Sequence, residues 1–244
     1  MIHRTKGIVL RTVKYGETSI VVNIFTELFG IQSYLVNGVR SPGKTSKAYF
    51  FQPTSILEME VYHNELKNLQ RIKEFKWSYL YNNILSDVTK NAVALYMIEL
   101  LQKSLKQPEN NNDLFQFSED ALMQLDVANN AVTANFPLYF CLHLSHFLGL
   151  RLEDDYAKNN SILDLREGRF IKTLPHHPHF LDEDLSFFIS QLLKVQHPDE
   201  LIEIKLNKFI RKKLLFALQN FYELQIQDFG VMKTLPILHE ILSE

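Results

Sequence analysis

The chain has 244 residues, 46% of them hydrophobic and 22% charged, with a formal net charge of −2. That length holds one large domain or two ordinary ones with a real core, and the composition excludes a disordered, fibrous or repetitive chain. A single cysteine, Cys141, excludes an internal disulfide and a thiolate zinc cage within one chain.

The first 77 residues read as short strands. Residues 7–13 are β-branched and aliphatic and end at a Tyr15-Gly16-Glu17 turn. Residues 19–26 set Ile20, Val22 and Ile24 against Val21, Asn23 and Phe25, a period of two. Phe29-Gly30 turns the chain into residues 31–36, and a polar loop rich in Gly, Ser, Pro and Lys follows over 37–47. Residues 55–62 place Leu57, Met59 and Val61 on one face and Glu58 and Glu60 on the other. After a turn at His63-Asn64, residues 69–77 resume the pattern with Arg71 and Lys73 on one face. Five short strands with one longer connection suit a five-stranded OB-fold barrel, and a small SH3-like barrel fits the pattern nearly as well.

Near residue 79 the period changes. Ser86 and Asp87 are placed to cap a helix in which Ala94, Met97, Ile98, Leu101 and Leu105 recur at helical spacing, with Gln107-Pro108 as its end. Leu114, Phe117, Ala121 and Leu125 predict a second helix. A third is expected to begin with Pro137 in its first turn and to stop at Gly149. Its apolar circumference makes it the buried centre of a helical domain. Residues 151–180 read as irregular and polar, and helices are predicted over 182–193, 198–224 and 231–242. The expected class is α+β: an OB-fold barrel over residues 1–78 and an all-helical domain over 79–244.

The modest net charge hides an asymmetry. Residues 1–80 hold 11 Lys and Arg against 6 Asp and Glu, while the rest of the chain is acidic. Local fields, not the global sum, attract phosphate backbones. The candidate nucleic-acid residues are therefore Arg11, Lys14, Arg40, Lys44, Lys47, Arg71 and Lys73, with Tyr34, Tyr49, Phe50 and Phe51 as stacking faces or, equally, barrel core. A second basic set, Lys205, Lys208, Arg211, Lys212 and Lys213, falls in the long late helix. There Lys205, Lys208 and Lys212 are expected on one face beside Phe209 and Ile210, as a seat for an acidic peptide with a hydrophobic end or simply as a solvated face.

Gly38-Val39-Arg40-Ser41-Pro42-Gly43-Lys44-Thr45 matches the phosphate-loop string letter for letter. The chemistry needs a buried parallel strand before it and a helix after it whose amides cradle phosphate. Here hairpin strands precede it, and Gln52-Pro53 follows within eight residues, so a flexible basic loop is the better reading. His176-His177-Pro178-His179 offers nitrogen ligands, to which Asp182 or Asp184 adds an oxygen for a weak surface site, but crowded and without cysteine it reads better as a plain polar loop, and neither a metal nor any other cofactor is expected. No nucleophile–base arrangement has a local signature, and Cys141 sits in an apolar helix as core. The polar start, Met1 to Lys6, carries no secretory signal. The longest apolar stretch, 136–148, is interrupted by His143, Ser145 and His146 and is too short to span a bilayer. A cytoplasmic, non-enzymatic binding protein is expected.

Several strings together resemble the RecO family: Lys6-Gly7-Ile8-Val9-Leu10-Arg11, then Tyr15-Gly16-Glu17-Thr18-Ser19, Phe25-Thr26, Gly30, Gly38-Val39-Arg40 and Gln52-Pro53. The likeness is strong over residues 1–77 and collinear, though weaker, through the helical part. It implies an OB-fold followed by a helical domain. It also implies binding to single- and double-stranded DNA, strand annealing, a RecR-like partner, recognition of the acidic tail of single-strand-binding protein, and assistance to RecA on gapped DNA, in a nucleoid-associated protein. Two departures stand out. Asn37 occupies a position where the family often has Lys, and the 151–180 stretch lacks the four cysteines of a zinc finger that many relatives carry. The rival readings are a nucleotide-binding protein using Gly38 to Thr45 and a protein-only OB-fold adaptor.

Overall fold

The computed structural model describes residues 1–40, 47–150 and 152–242. Five strands close into a barrel in the order β1-β2-β3-β5-β4: β1 (Ile2–Tyr15), β2 (Ser19–Thr26), β3 (Gly30–Val36), β4 (Ile56–Tyr62) and β5 (Gln70–Tyr79). β1 is twice the expected length because one strand serves two neighbours. Its first half pairs with β4 and its second half with β2, and the register shifts between Val9 and Arg11 so that the strand bends at Leu10. β5 closes the barrel by pairing in parallel with β3 at Tyr34 and Leu35. The inward rows pack Val9, Val22, Ile24, Tyr34, Leu57, Met59 and Val61 into one core, with Phe51 of a short 3-10 helix (Lys47–Phe51) closing one end. Gly7 is required in that row, because a Cβ there would lie 2.5 Å from Ile24 Cγ2 and 2.6 Å from Met59 Cε.

The remaining elements are α1 (Val88–Ser104), α2 (Asn112–Val127), α3 (Asn130–Phe147), the small strands β6 (Ile162–Asp164), β7 (Arg169–Ile171) and β8 (Phe180–Leu181), α4 (Glu183–Leu193), a 3-10 turn (Pro198–Glu203), α5 (Lys208–Gln225) and α6 (Thr234–Ile241). By internal contacts the chain forms two compact units, residues 1–82 with 105–123 and residues 83–104 with 124–244. In the first, the early part of α2 packs on the barrel wall: Phe115 meets Phe25 edge to face at 5.5 Å, and Glu119 receives Lys6 at 2.9 Å. In the second, α1 and α3 pack together, with α6 against α1 and α5 against α3.

Local capping follows the side-chain chemistry. Asp87 accepts from the Lys90 amide at 2.9 Å, Asn129 from Val132 at 3.0 Å, Asp182 from Leu185 at 3.0 Å and Asn207 from Ile210 at 2.8 Å. Three expectations are corrected. α3 starts seven residues before Pro137, because Asn129 caps it and the buried Val132 and Phe136 extend the apolar face; the proline then sits inside the helix and removes one of its hydrogen bonds. The 151–180 stretch holds an ordered three-stranded sheet, β7-β6-β8, pinned by the Leu163 amide to Ser186 Oγ at 2.8 Å. The expected 198–224 helix is broken in two, since the chain leaves the 3-10 turn at Ile204 in an extended conformation and restarts only where Asn207 supplies a cap.

Candidate nucleic-acid interface

Side chains of a strand alternate between faces, so the barrel sorts its charges by register. On the outer face of β1, β4 and β5, Arg4 stands opposite Glu60 and Lys6 opposite Glu58, while Glu74 and Lys76 continue the rows from β5. Glu60 accepts from Arg4 Nε at 3.0 Å and Lys73 Nζ at 2.8 Å, and Glu58 from Lys76 at 2.8 Å. Those hydrogen bonds hold both carboxyls below the usual carboxylate range: Lys76 acts first on Glu58, Lys73 and then Arg4 on Glu60. Exposed pairs like these add little stability. They do decide where positive charge is spent.

Arg11, Lys14, Lys47 and Arg71 take part in no ion pair among the described residues. Arg11 stands opposite Asn23 on β2, which in turn stands opposite Ser33 on β3, whose Oγ donates to Asn23 Oδ1 at 3.0 Å. One row further, Val13, Val21, Leu35 and Arg71 line up across β1, β2, β3 and β5. The outer face of β2 and β3 is thus flanked by an arginine on each side, three strand spacings apart along the barrel wall. Lys14 faces the opposite way from Arg11 and lies at the end of its strand, where Ile20 and Val36 close the core. Arg40 joins that end, donating from Nη1 to the Gly16 carbonyl at 3.3 Å. Lys47 Nζ lies 5.9 Å from the centre of the Phe75 ring. Lys73 is drawn into the ion pair with Glu60, and Lys44 lies outside the described residues.

The four candidate stacking residues divide. Tyr34 and Phe51 are core, and burial pushes the Tyr34 hydroxyl well above its ordinary range. Tyr49 is half exposed and stacks on Phe50 with ring centres 4.6 Å apart, and Phe50 stacks on Trp77 at 4.8 Å. Trp77, absent from the sequence-based set, joins because it follows β5 into the row facing Leu57. Its signal is the period-2 run Phe75, Trp77, Tyr79, which reads as core until the open end of the barrel is seen.

The second basic set is only partly a helix face. Lys205 precedes α5 and donates to the Ile202 carbonyl at 2.7 Å, so it does not share the helical row expected of it. Arg211 turns inward, its Nε donating to Asn135 Oδ1 at 3.1 Å and its Nη2 to the Leu206 carbonyl at 3.1 Å. On the α5 surface Lys213 sits over the exposed Phe209 ring at 4.6 Å and Lys212 near Phe216 at 5.9 Å, with Lys208 one turn before Lys212. Phe216 is the missed member, and its spacing from Phe209 and Lys212 was the available sign.

The other motifs resolve into structural contacts. His177 Nε2 lies 3.3 Å from Asp164 Oδ2, and His179 Nδ1 lies 2.8 Å from Asn220 Oδ1. Among the described residues no group of three or more His, Cys, Asp or Glu is placed to hold a metal ion. The strand leading into the phosphate-loop string belongs to a closed barrel, and the next described element is the five-residue 3-10 helix. Its Gly43, Lys44 and Thr45 lie outside the described residues. Cys141 is buried, its thiol pushed up to about 12 by desolvation. No described helix is long and apolar enough to cross a membrane.

Comparison with known proteins agrees with the barrel-and-helices order. The family model described as "Recombination protein O N terminal" matches residues 1–81, and "Recombination protein O C terminal" matches residues 85–168. The DNA repair protein RecO of Phocaeicola vulgatus is 31% identical over 243 residues, covering the whole of both chains. Those of Bacteroides fragilis and Flavobacterium johnsoniae are each 32% identical, over 246 and 241 residues, the latter covering 98% of this chain and 99% of the relative. The chain belongs to the RecO family of DNA repair proteins.

Proposed function

We propose that this chain is a non-enzymatic recombination mediator. Its barrel, residues 1–78, holds single- or double-stranded DNA. Its helical part, residues 79–244, docks a RecR-like protein and the acidic tail of single-strand-binding protein, so that complementary strands anneal and RecA is helped onto coated DNA. One observation carries the reading: ion pairing consumes Arg4, Lys6, Lys73 and Lys76, while Arg11 and Arg71 flank the β2–β3 face without an ion pair among the described residues. That face is where OB-fold barrels hold oligonucleotides. Cations there neutralise phosphates and release counterions, which gives sequence-tolerant and salt-sensitive binding. The Tyr49–Phe50–Trp77 stack adds a π-surface at the barrel end that favours unpaired bases. For the helical part, Phe209 and Phe216 interleaved with Lys208, Lys212 and Lys213 suit an acidic peptide ending in an aromatic residue.

The test is a titration of fluorescent oligo-dT with the purified chain across a salt series, with and without magnesium nucleotide. Binding that falls steeply with salt and ignores nucleotide supports the mediator. No binding at low salt refutes the DNA-holding role and leaves a protein-only adaptor, whereas dependence on nucleotide would revive the phosphate-loop string.

A further inference from the structure

β3 is closed on one side only along half its length. β2 pairs with it from Gly30 to Val36, but β5 reaches it only at Tyr34 and Leu35. In such a strand alternate residues turn their N–H and C=O away from the paired neighbour. The stretch from Ile31 to Ser33 therefore presents a strand edge, and no backbone hydrogen bond joins it to the β4–β5 connection among the described residues. Beside this edge lies a groove of about 510 Å³, whose far walls are the β4–β5 connection and residues 105–110. The second wall closes over Gly30, where an added Cβ would lie 2.2 Å from the Glu109 carbonyl oxygen and the Gly30 carbonyl accepts from Thr26 Oγ1 at 2.8 Å, so the edge begins at Ile31.

The lining is mixed in an ordered way. Leu28, Phe29, Ile31 and Leu105 supply apolar surface. Phe29 stacks flat on His63, with ring centres 3.9 Å apart. His63 Nδ1 is buried without a hydrogen-bond partner among the described residues, and burial holds this ring below its ordinary pKa. Among the described residues that line the groove are Lys67 and Lys106 and one acid, Glu65. An open strand edge, apolar side pockets and a cationic excess are the three requirements of strand addition by an acidic, alternating peptide.

We infer that the β3 edge beside Ile31 to Ser33 takes an extended polypeptide segment as an added strand, with alternate apolar side chains against Phe29 and Leu105 and carboxylates toward Lys67 and Lys106. The added strand continues the sheet on the side that β5 leaves open, so its main chain supplies affinity and its alternation fixes register. The inference goes beyond the DNA-holding reading and does not rest on it, since the groove is formed without Arg11, Lys14, Arg40 or Lys47.

The probe is a fluorescein-labelled octapeptide alternating Asp with Val and Phe, titrated into the full chain by anisotropy. Two further peptides carry N-methyl groups, one at the Asp positions and one at the apolar positions. A strand bonds to its neighbour through alternate residues, so one N-methylated peptide should lose binding at least tenfold while the other retains it; this comparison uses only the unaltered protein. Lys67→Glu with Lys106→Glu should weaken the unmodified peptide roughly tenfold, and Arg11→Ala should leave it unchanged. Absence of peptide binding overturns the inference. So does equal binding of the two N-methylated peptides, or displacement of the peptide by oligo-dT, which would make the groove part of the nucleic-acid path.

Discussion

Arg40 is bound to the β1–β2 turn twice: its side chain donates to the Gly16 carbonyl at 3.3 Å and its amide to the Thr18 carbonyl at 3.0 Å. The residue at the exit of β3 is thereby fixed beside the end of β1, where Lys14 lies. A cation held in place loses less entropy on meeting a phosphate than one on a free loop.

Arg11→Ala and Arg40→Ala should therefore each lower affinity for oligo-dT and reduce the slope of log K against log salt by about 0.7, the single-strand value per phosphate contact. Lys73→Ala should change both much less, because Lys73 already serves Glu60. Equal effects of Lys73 and Arg11 in the salt titration would mean that the ion pair opens on binding and that register does not decide the contact set.

The aromatic residues separate in the same way. Tyr49→Ala should weaken single-strand binding by about 1–3 kcal/mol while leaving the melting temperature nearly unchanged. Tyr34→Phe should leave DNA binding alone and hold or raise stability by about 1 kcal/mol, since the buried Tyr34 hydroxyl has no hydrogen-bond partner among the described residues. Urea unfolding together with anisotropy titration reads both; loss of DNA binding in Tyr34→Phe would contradict its assignment to the core.

Asp126 is fully buried, and one of its carboxylate oxygens accepts the amides of Asn83 and Ile84, each at 2.8 Å. Its backbone carbonyl accepts Lys90 Nζ at 2.7 Å. Asp126→Ala leaves two backbone donors without an acceptor and should cost about 3 kcal/mol or more. Asp126→Asn keeps an oxygen there and should cost less. Denaturant midpoints that rank the two variants the other way would show that charge, not hydrogen bonding, holds the segment before α1.

His239 is buried beside Phe216, and desolvation, then the nearby Lys212 charge, holds its pKa down to about 4 from 6.5. The fold accepts its neutral form. Between those two values the unfolded chain binds a proton that the folded chain refuses, so stability is complete above pH 6.5 and declines as pH falls toward 4. His143, depressed mainly by burial, adds to the same trend. The melting temperature should fall between pH 7 and 4.5, and His239→Gln should flatten that fall. An unchanged slope in the variant would assign the acid sensitivity to other groups.

Much of this was legible from residue order alone. Alternation in β2 and β4 fixes which side chains face the core, because a strand's period is two whatever surrounds it. Asp87 is a cap by its own chemistry, but the caps Asn129, Asp182 and Asn207 came only with the structure, and Pro137 misdirected the start of α3: the penalty of an interior proline is local, while the burial of Val132 and Phe136 that outweighs it is not. The basic excess of the first 80 residues is likewise a property of composition. Which of those cations meet carboxylates was decided only by the fold. The bend at Leu10 and the register shift between Glu60 and Val61 set Arg4 and Lys73 on Glu60 and leave Arg11 and Arg71 without an ion pair among the described residues, and pairings between residues tens of positions apart leave no periodic trace in the chain. The half-open edge of β3 has the same origin. It depends on where β5 begins relative to β3, a register that only closure of the barrel determines.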